Sequence, residues 1–179
     1  GSIDPNTVAI WLKRCTLMSP ALFVGILLLG VSMSGKVLCP FSKGNQEFGY
    51  IQVSEENKYY YAALEAESDP KTAPTFLFFP GGFGSSGVAY ALSRGPCILL
   101  PGSNKPGLNL YSWSRKANSI WIDAPGPTGF SLGPIEKDLG AFVENMKEFV
   151  KQFFKDHPNF NTRVHIVGES SAGSLAAML

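Results

Sequence analysis

Three short runs constrain this chain more than anything else in it. Residues 75–79 (TFLFF), 119–122 (SIWI) and 164–167 (VHIV) are almost wholly apolar. They stop at Pro80-Gly81-Gly82, at Asp123-Ala124-Pro125-Gly126-Pro127 and at Gly168-Glu169-Ser170. A run without polar alternation reads as a strand covered on both faces, the pattern of a parallel sheet. Between the second and third runs, Leu139, Phe142, Met146, Phe149, Val150 and Phe153 recur at helical spacing, opposite Glu144, Lys147, Glu148 and Lys151. That spacing predicts an amphipathic helix ending near His157, before Pro158, with its apolar stripe used for core packing. Strand, helix and strand make a βαβ crossover, so the chain is α/β, a mostly parallel central sheet flanked by helices. Upstream, residues 48–53 (FGYIQV) and 58–64 (KYYYAAL) flank the polar Ser54-Glu55-Glu56-Asn57 and predict an edge hairpin.

Composition narrows the function classes. The 15 Lys+Arg and 14 Asp+Glu are spread along the chain, so there is no cationic cluster of the kind that nucleic acid or an anionic membrane requires. Charged residues make up 16%, below the ~25% of an average domain, while Gly and Pro exceed the usual ~12% together. Both deviations fit a buried sheet joined by shaped turns. Three Cys with no Cys-x-x-Cys, and His157 and His165 as the only His, give no metal-ligand spacing. Neither a metal nor a cofactor is expected.

Lys13 and Arg14 precede an 11-residue apolar run at 21–31 (ALFVGILLLGV), followed by Ser32-Met33-Ser34-Gly35. A basic flank, a short apolar core and small residues before a cut after Ser34 are the layout of a secretory signal peptide. The run is too short for the ~20 residues of a bilayer-spanning helix, so no stable membrane insertion is expected after cleavage. Residues 1–34 are thus read as signal peptide and upstream segment, and 35–179 as part of one domain. Gly1 in place of Met, and an end at Leu179 inside a helix-forming stretch, read as cut termini. Signal removal takes Cys15 away and leaves Cys39 and Cys97 in an oxidising compartment. They pair with each other, or one pairs with a Cys outside this sequence.

The chemistry-bearing string is Gly168-Glu169-Ser170-Ser171-Ala172-Gly173, between the third apolar run and the helix-forming 174–179. A sharp strand-to-helix turn that exposes a Ser hydroxyl needs small neighbours, here Gly168, Ala172 and Gly173. Such a turn leaves the amides of Ser171 and Ala172 facing a developing oxyanion. The strict Gly-x-Ser-x-Gly pattern is broken by Ala172 in the fifth position. The loop Pro80-Gly81-Gly82-Phe83-Gly84-Ser85-Ser86-Gly87 resembles the oxyanion loop of α/β-hydrolases, with the Gly82 amide as a second donor beside that of Ser171. It lacks the Gly-Lys-Ser/Thr and the Gly-x-Gly-x-x-Gly of phosphate loops.

From about Phe48 onward, several segments together resemble the serine carboxypeptidase family. Residues 80–86 look like its Asn-Gly-Gly-Pro-Gly-Cys-Ser loop, and Arg94-Gly95-Pro96 like its Glu-x-Gly-Pro. Asn109-Leu110-Tyr111-Ser112-Trp113 resembles Asn-x-x-Ser-Trp, and Ala117-Asn118 its Ala-Asn. Asp123-Ala124-Pro125 with Thr128-Gly129-Phe130-Ser131 resembles Asp-x-Pro-x-Gly-x-Gly-Phe-Ser, and residues 168–173 resemble Gly-Glu-Ser-Tyr-Ala-Gly. The resemblance implies the N-terminal part of an α/β-hydrolase fold, truncated after the nucleophile turn. It also implies a serine exopeptidase of the secretory pathway, extracellular or in a vacuole or lysosome, acting on peptide and protein C-termini. It makes Ser170 the nucleophile, the amides of Gly82 and Ser171 the oxyanion hole, and Gly81 and Glu169 contacts to the substrate's terminal carboxylate. A protonated Glu169 in that role implies tighter binding at acid pH. Pro80 stands in place of the family's loop Asn, Ser93 in place of its Glu, Ser85 in place of its Cys, and Phe78 in place of its usual Trp.

In α/β-hydrolases the triad runs Ser, then Asp or Glu, then His. His157 and His165 both precede Ser170, His165 within a strand read as buried and His157 at a helix end. The acid and base are therefore expected beyond Leu179, and without them Ser170 keeps the reactivity of an ordinary alcohol. Half of such a sheet also leaves an open edge. Two other readings remain: an esterase or acyltransferase that lost carboxylate recognition, motivated by Pro80 and Ser93, and a catalytically inactive homologue. The sequence leaves the oligomeric state open.

Overall fold

The computed structural model describes residues 37–82 and 84–179; the candidate signal segment and Phe83 lie outside the described residues. Its strands are β1 (Gln46–Gln52), β2 (Lys58–Leu64), β3 (Thr75–Phe79), β4 (Cys97–Ile98), β5 (Gly107–Leu108), β6 (Asn118–Asp123) and β7 (Val164–Gly168), and its α-helices α1 (Gly87–Arg94), α2 (Leu139–Asp156) and α3 (Ala172–Met178). Five strands form one sheet in the order β1-β2-β6-β3-β7, and β4 and β5 form a separate two-stranded ribbon. β1 pairs antiparallel with β2, and β2 with β6, while β3 is parallel to both β6 and β7. Four of the five strands thus point the same way, as the crossover requires. The hairpin and the three apolar runs all form strands, within one or two residues of the expected bounds.

Alternation along β3 and β6 explains why both runs lack polar residues. Leu77, Phe79, Ile120 and Ile122 face one side with Tyr59 and Tyr61, under Phe142, Met146, Phe149 and Phe153 of α2 and Leu175 of α3. Phe76, Phe78 and Trp121 face the other side with Ala62 and Leu64, under Val88 and Ala91 of α1. Every residue of β3 and β6 is buried. β7 differs: His165 and Ile166 are exposed, because among the described residues this strand has a neighbour on one side only. The expectation that the third run, with His165, is covered on both faces is corrected for the described residues, since a run of apolar residues cannot reveal the place of its strand in the sheet.

α2 begins at Asp138, whose carboxylate accepts from the Ala141 amide as an N-cap, and its C-cap is His157, as the periodicity predicts. His157 does more than face a helix dipole. Its Nδ1 lies 2.7 Å from Glu47 Oε2, its Nε2 is 2.8 Å from the Tyr61 hydroxyl, and its ring stacks on Phe153. Burial, helped by the charges of Glu47 and Asp156, pushes the Tyr61 phenol up to about 12. Tyr59 and Tyr60 are raised as well, first by burial, with Glu136 adding to the first and Tyr50 and Asp123 to the second.

At the carboxyl end of β6, Asp123 is fully buried and accepts three hydrogen bonds. Ser86 Oγ and the Val88 amide donate to Oδ1 at 2.6 and 3.1 Å, and the Phe130 amide donates to Oδ2 at 2.9 Å. The start of α1 and the turn through Phe130 are thereby tied to one strand end. Gly129 completes the arrangement: its φ is +58°, and a Cβ there would lie 2.1 Å from Asp123 Oδ2. Asp123→Ala would leave these donors unpaired at ~1–3 kcal/mol each. Urea unfolding should therefore show a loss of about 3 kcal/mol or more, and a loss below ~1 kcal/mol would remove Asp123 from this role.

Cys39 and Cys97 form a disulfide that joins the segment before β1 to β4, resolving the alternatives left by the sequence. The bridge spans 58 residues, a loop for which chain-entropy arguments give ~4 kcal/mol. Under a reducing agent the unfolding midpoint should fall accordingly, and an unchanged midpoint would mean that the closed loop contributes nothing.

Candidate active site

The order β6-β3-β7 means that the chain leaves β3, forms β6 on one side of it, then crosses to form β7 on the other. Crevices open at such reversals, outside the carboxyl ends of the strands. The ends of β3 and β7 are in register there, Phe79 opposite Gly168, and the Glu169 amide donates to the Phe79 carbonyl at 3.0 Å. One residue later the ladder breaks. Ser170 has φ +57° and is one of two non-glycine residues with positive φ among the described residues. That backbone is strained for an L-residue. The turn is closed by the amides of Ala172 and Gly173, which donate to the carbonyls of Glu169 and Ser170. It is the strand-to-helix turn that the sequence predicts.

Two glycines make room for it. A Cβ on Gly81 would lie 2.6 Å from Ser170 Cβ and 2.8 Å from the Glu169 carbonyl oxygen, so the loop after β3 touches the candidate nucleophile only because Gly81 has no side chain. A Cβ on Gly168 would lie 2.2 Å from the Ala172 carbonyl oxygen. Gly173 is different, with nothing within 4 Å of such a Cβ, so the sequence-based requirement for a small residue there is corrected. Ser170 Oγ has no hydrogen-bond partner among the described residues.

The candidate oxyanion donors are brought together in an unexpected way. Gly82 has φ +62°, and its amide donates to Ser171 Oγ at 2.8 Å. The Ser171 hydroxyl thus occupies the acceptor position in front of that amide. The Ser171 amide has no partner among the described residues, whereas the Ala172 amide is used within the turn. Of the three candidate donors, only the Ser171 amide is unpaired among the described residues; the Gly82 amide is taken by the Ser171 hydroxyl and the Ala172 amide by the turn.

Glu169 does not stand alone. Its Oε2 is 2.7 Å from Nη2 of Arg94, in the last turn of α1. The Arg94 guanidinium lies 4.5 Å from the Tyr90 ring centroid, 5.4 Å from that of Phe78 and 5.7 Å from that of Trp113. Sequence reasoning missed Arg94, and no local signal marked it: an Arg before Gly-Pro looks like an ordinary helix end. Ser93 Oγ donates back to the Tyr90 carbonyl at 2.9 Å, and Pro80 has no N–H. Neither supplies what the residues they replace would supply.

A positive-φ serine between a parallel strand and a helix, with a glycine loop packed against it at a chain reversal, defines an α/β-hydrolase fold. The serine carboxypeptidase family model matches residues 38–179, and the chain belongs to that family. It is 31% identical over 134 residues to the lysosomal protective protein of Mus musculus, covering 72% of this chain and 28% of that protein. It is 34% identical over 146 residues to serine carboxypeptidase-like 10 of Arabidopsis thaliana, covering 74% and 33%. Among solved structures, a prohormone-processing carboxypeptidase from Saccharomyces cerevisiae superimposes with a TM-score of 0.66 at 26% identity, over 75% of this chain and 33% of that one. The chain therefore spans about a third of the length of the relatives it matches.

Opposite effects are expected at the two turn glycines. Gly168→Ala should destabilise by ~1–3 kcal/mol, because backbone atoms must move. Gly173→Ala should be neutral or stabilise by up to ~1 kcal/mol, because it removes a helical glycine. Thermal unfolding of both variants checks this, and equal effects would show that Gly168 is not the close contact.

Proposed function

We propose that this chain is the nucleophile-bearing part of a serine carboxypeptidase, which releases C-terminal residues from peptides through an acyl-enzyme on Ser170. The observation that carries the reading is Ser170 at φ +57°, held against Gly81 at the adjoining ends of β3 and β7. Ser170 Oγ attacks the scissile carbonyl, and its proton passes to a His base. The tetrahedral oxygen takes hydrogen bonds from the Gly82 and Ser171 amides, each worth ~3 kcal/mol of transition-state stabilisation. The Ser171 hydroxyl has to rotate off the Gly82 amide for that to happen. Collapse expels the amine of the released residue, and water repeats the attack on the ester. Residues 171–179 contain neither an acid nor a His, and the order of the triad calls for both partners after the Ser.

Working in the secretory pathway fits the Cys39–Cys97 disulfide, which persists in oxidising compartments. No helix among the described residues is long and apolar enough to cross a membrane.

A second reading, an esterase or acyltransferase on the same site, is favoured by one observation. Pro80 and Ser93 offer no donor to a carboxylate, the first for lack of N–H and the second because its hydroxyl bonds its own helix. Assaying ester against peptide substrates separates the two. In the full-length protein that carries this chain, Ser170→Ala should lower hydrolysis of a free-carboxylate peptide by about 10⁴-fold or more. It should also abolish labelling by a fluorophosphonate. Retained turnover would overturn the acyl-enzyme, and wild-type protein that neither labels nor turns over would be an inactive homologue.

A further inference from the structure

We infer that Arg94 is the residue that holds the substrate's terminal carboxylate, in place of an acid-protonated Glu169. The inference rests on the carboxypeptidase reading above and names its specificity-determining group. A carboxylate beside Ser170 needs donors. Pro80 has none, and Ser93 Oγ donates to the Tyr90 carbonyl. Glu169 is engaged with Arg94, and an ionised Glu169 accepts hydrogen bonds and repels a second carboxylate. Among the described residues, Arg94 is the cation paired with Glu169, the neighbour of Ser170. It is adjacent to the nucleophile by two routes. Its Nη2 bonds the residue that precedes Ser170, and it stacks on Phe78, whose strand leads directly to the Gly81 contact with Ser170.

The surroundings build Arg94 into a receptor rather than a solvated surface cation. Three rings, Tyr90, Phe78 and Trp113, lie within 5.7 Å of the guanidinium carbon and favour its charge there. Only one of its nitrogens has a partner among the described residues, so the rest of the fork remains for a carboxylate, which guanidinium binds through paired N–H groups. The side chains of Arg94 and Glu169 are 28% and 44% exposed, so the pair is in contact with solvent and Glu169 can yield. An exposed ion pair of this kind holds its partners weakly. Glu169 thereby becomes a positioning residue that occupies the fork when substrate is absent.

The test uses the full-length protein and a matched pair of peptides, one with a free C-terminus and one amidated. The readout is the ratio of their kcat/KM values, with fluorophosphonate labelling of Ser170 and the unfolding midpoint measured alongside. Arg94→Gln should lower the preference for the free carboxylate by on the order of 10- to 100-fold, mainly through KM, as expected for loss of a charge-assisted hydrogen bond. Glu169→Gln should keep the preference, since it leaves the receptor in place. If Arg94→Gln fails to fold, Arg94→Lys carries the test, because it keeps the charge and loses the fork. A partial fall in preference then supports the inference, and no fall overturns it. Loss of preference in Glu169→Gln with retention in Arg94→Gln also overturns it. Wild-type protein that does not label at Ser170 overturns the acyl-enzyme reading and this inference together, whereas labelling with an unchanged ratio in Arg94→Gln overturns this inference alone.

Discussion

The carboxyl group of Asp123 is the fixed point on which the rest of this architecture depends. It lies at 0% exposure, at the end of a strand with neighbours on both sides, and gathers donors from two loops that have no other reason to meet. A buried polar group is costly unless satisfied, and once satisfied in low dielectric it is difficult to displace. Its partners therefore take up one arrangement. Ser86 illustrates the economy of this: its hydroxyl donates to Asp123 and accepts from the Ala89 amide, so one oxygen both anchors α1 and caps it. The entry of α1 fixes where the glycine loop before it can run, and that loop touches Ser170. Ser170 is thus positioned from two directions, by the ladder of β3 and β7 and by a polar knot on the far side of β3.

The same logic explains most of the residues through which the sequence resembles its family. Asn118 donates to the Pro70 carbonyl and accepts from the Ala66 amide, which pins the loops at the amino end of the sheet. Asn109 donates to the Gly95 carbonyl and accepts from the Tyr111 amide, and Ser112 caps the short helical turn at Trp113–Arg115. Ser131 accepts from the Tyr60 amide and donates to the Asp123 carbonyl. None of these side chains touches Ser170. Each satisfies backbone groups in loops that run across buried strand ends, where water is not available to do so. Glycine-rich and proline-rich stretches can be ordered when a few polar side chains act as their hydrogen-bonding partners.

Strand and helix identity was legible from the sequence because it depends on local pattern. The stripe from Leu139 to Phe153 repeats at helical period, and the run at 75–79 is short, unbroken and closed by Pro80-Gly81-Gly82, as a covered strand is. Burial was legible only in part. β3 and β7 look alike as strings, yet one lies between two neighbours and the other has one, and that difference belongs to the order of strands. α1 was not foreseen because it is eight residues long and begins at Gly87, whose value is the absence of a Cβ that would meet the Ile122 backbone at 2.2 Å. Arg94 was invisible for a related reason. Its partner lies 75 residues away, and three rings from separate elements create its environment.

The turn at Ser170 stores strain, and its location follows from where strain can be balanced. A non-glycine residue at positive φ costs ~1–3 kcal/mol, a sizeable share of the 5–15 kcal/mol that a domain commonly has. Here the Glu169 amide is still in the ladder with Phe79, and three residues later the Ala172 amide already donates back to the Glu169 carbonyl. Ser170 sits between two satisfied backbone units with no slack to release its conformation, and Gly81 presses on it from the neighbouring strand end. Ala172 and Leu175, buried in one cluster with Leu77 and Phe79 of β3 and the apolar face of α2, hold the helix side of the turn in the core. The exposed hydroxyl is therefore held by packing on one side and a ladder on the other. That rigidity is what a nucleophile needs before any base is added.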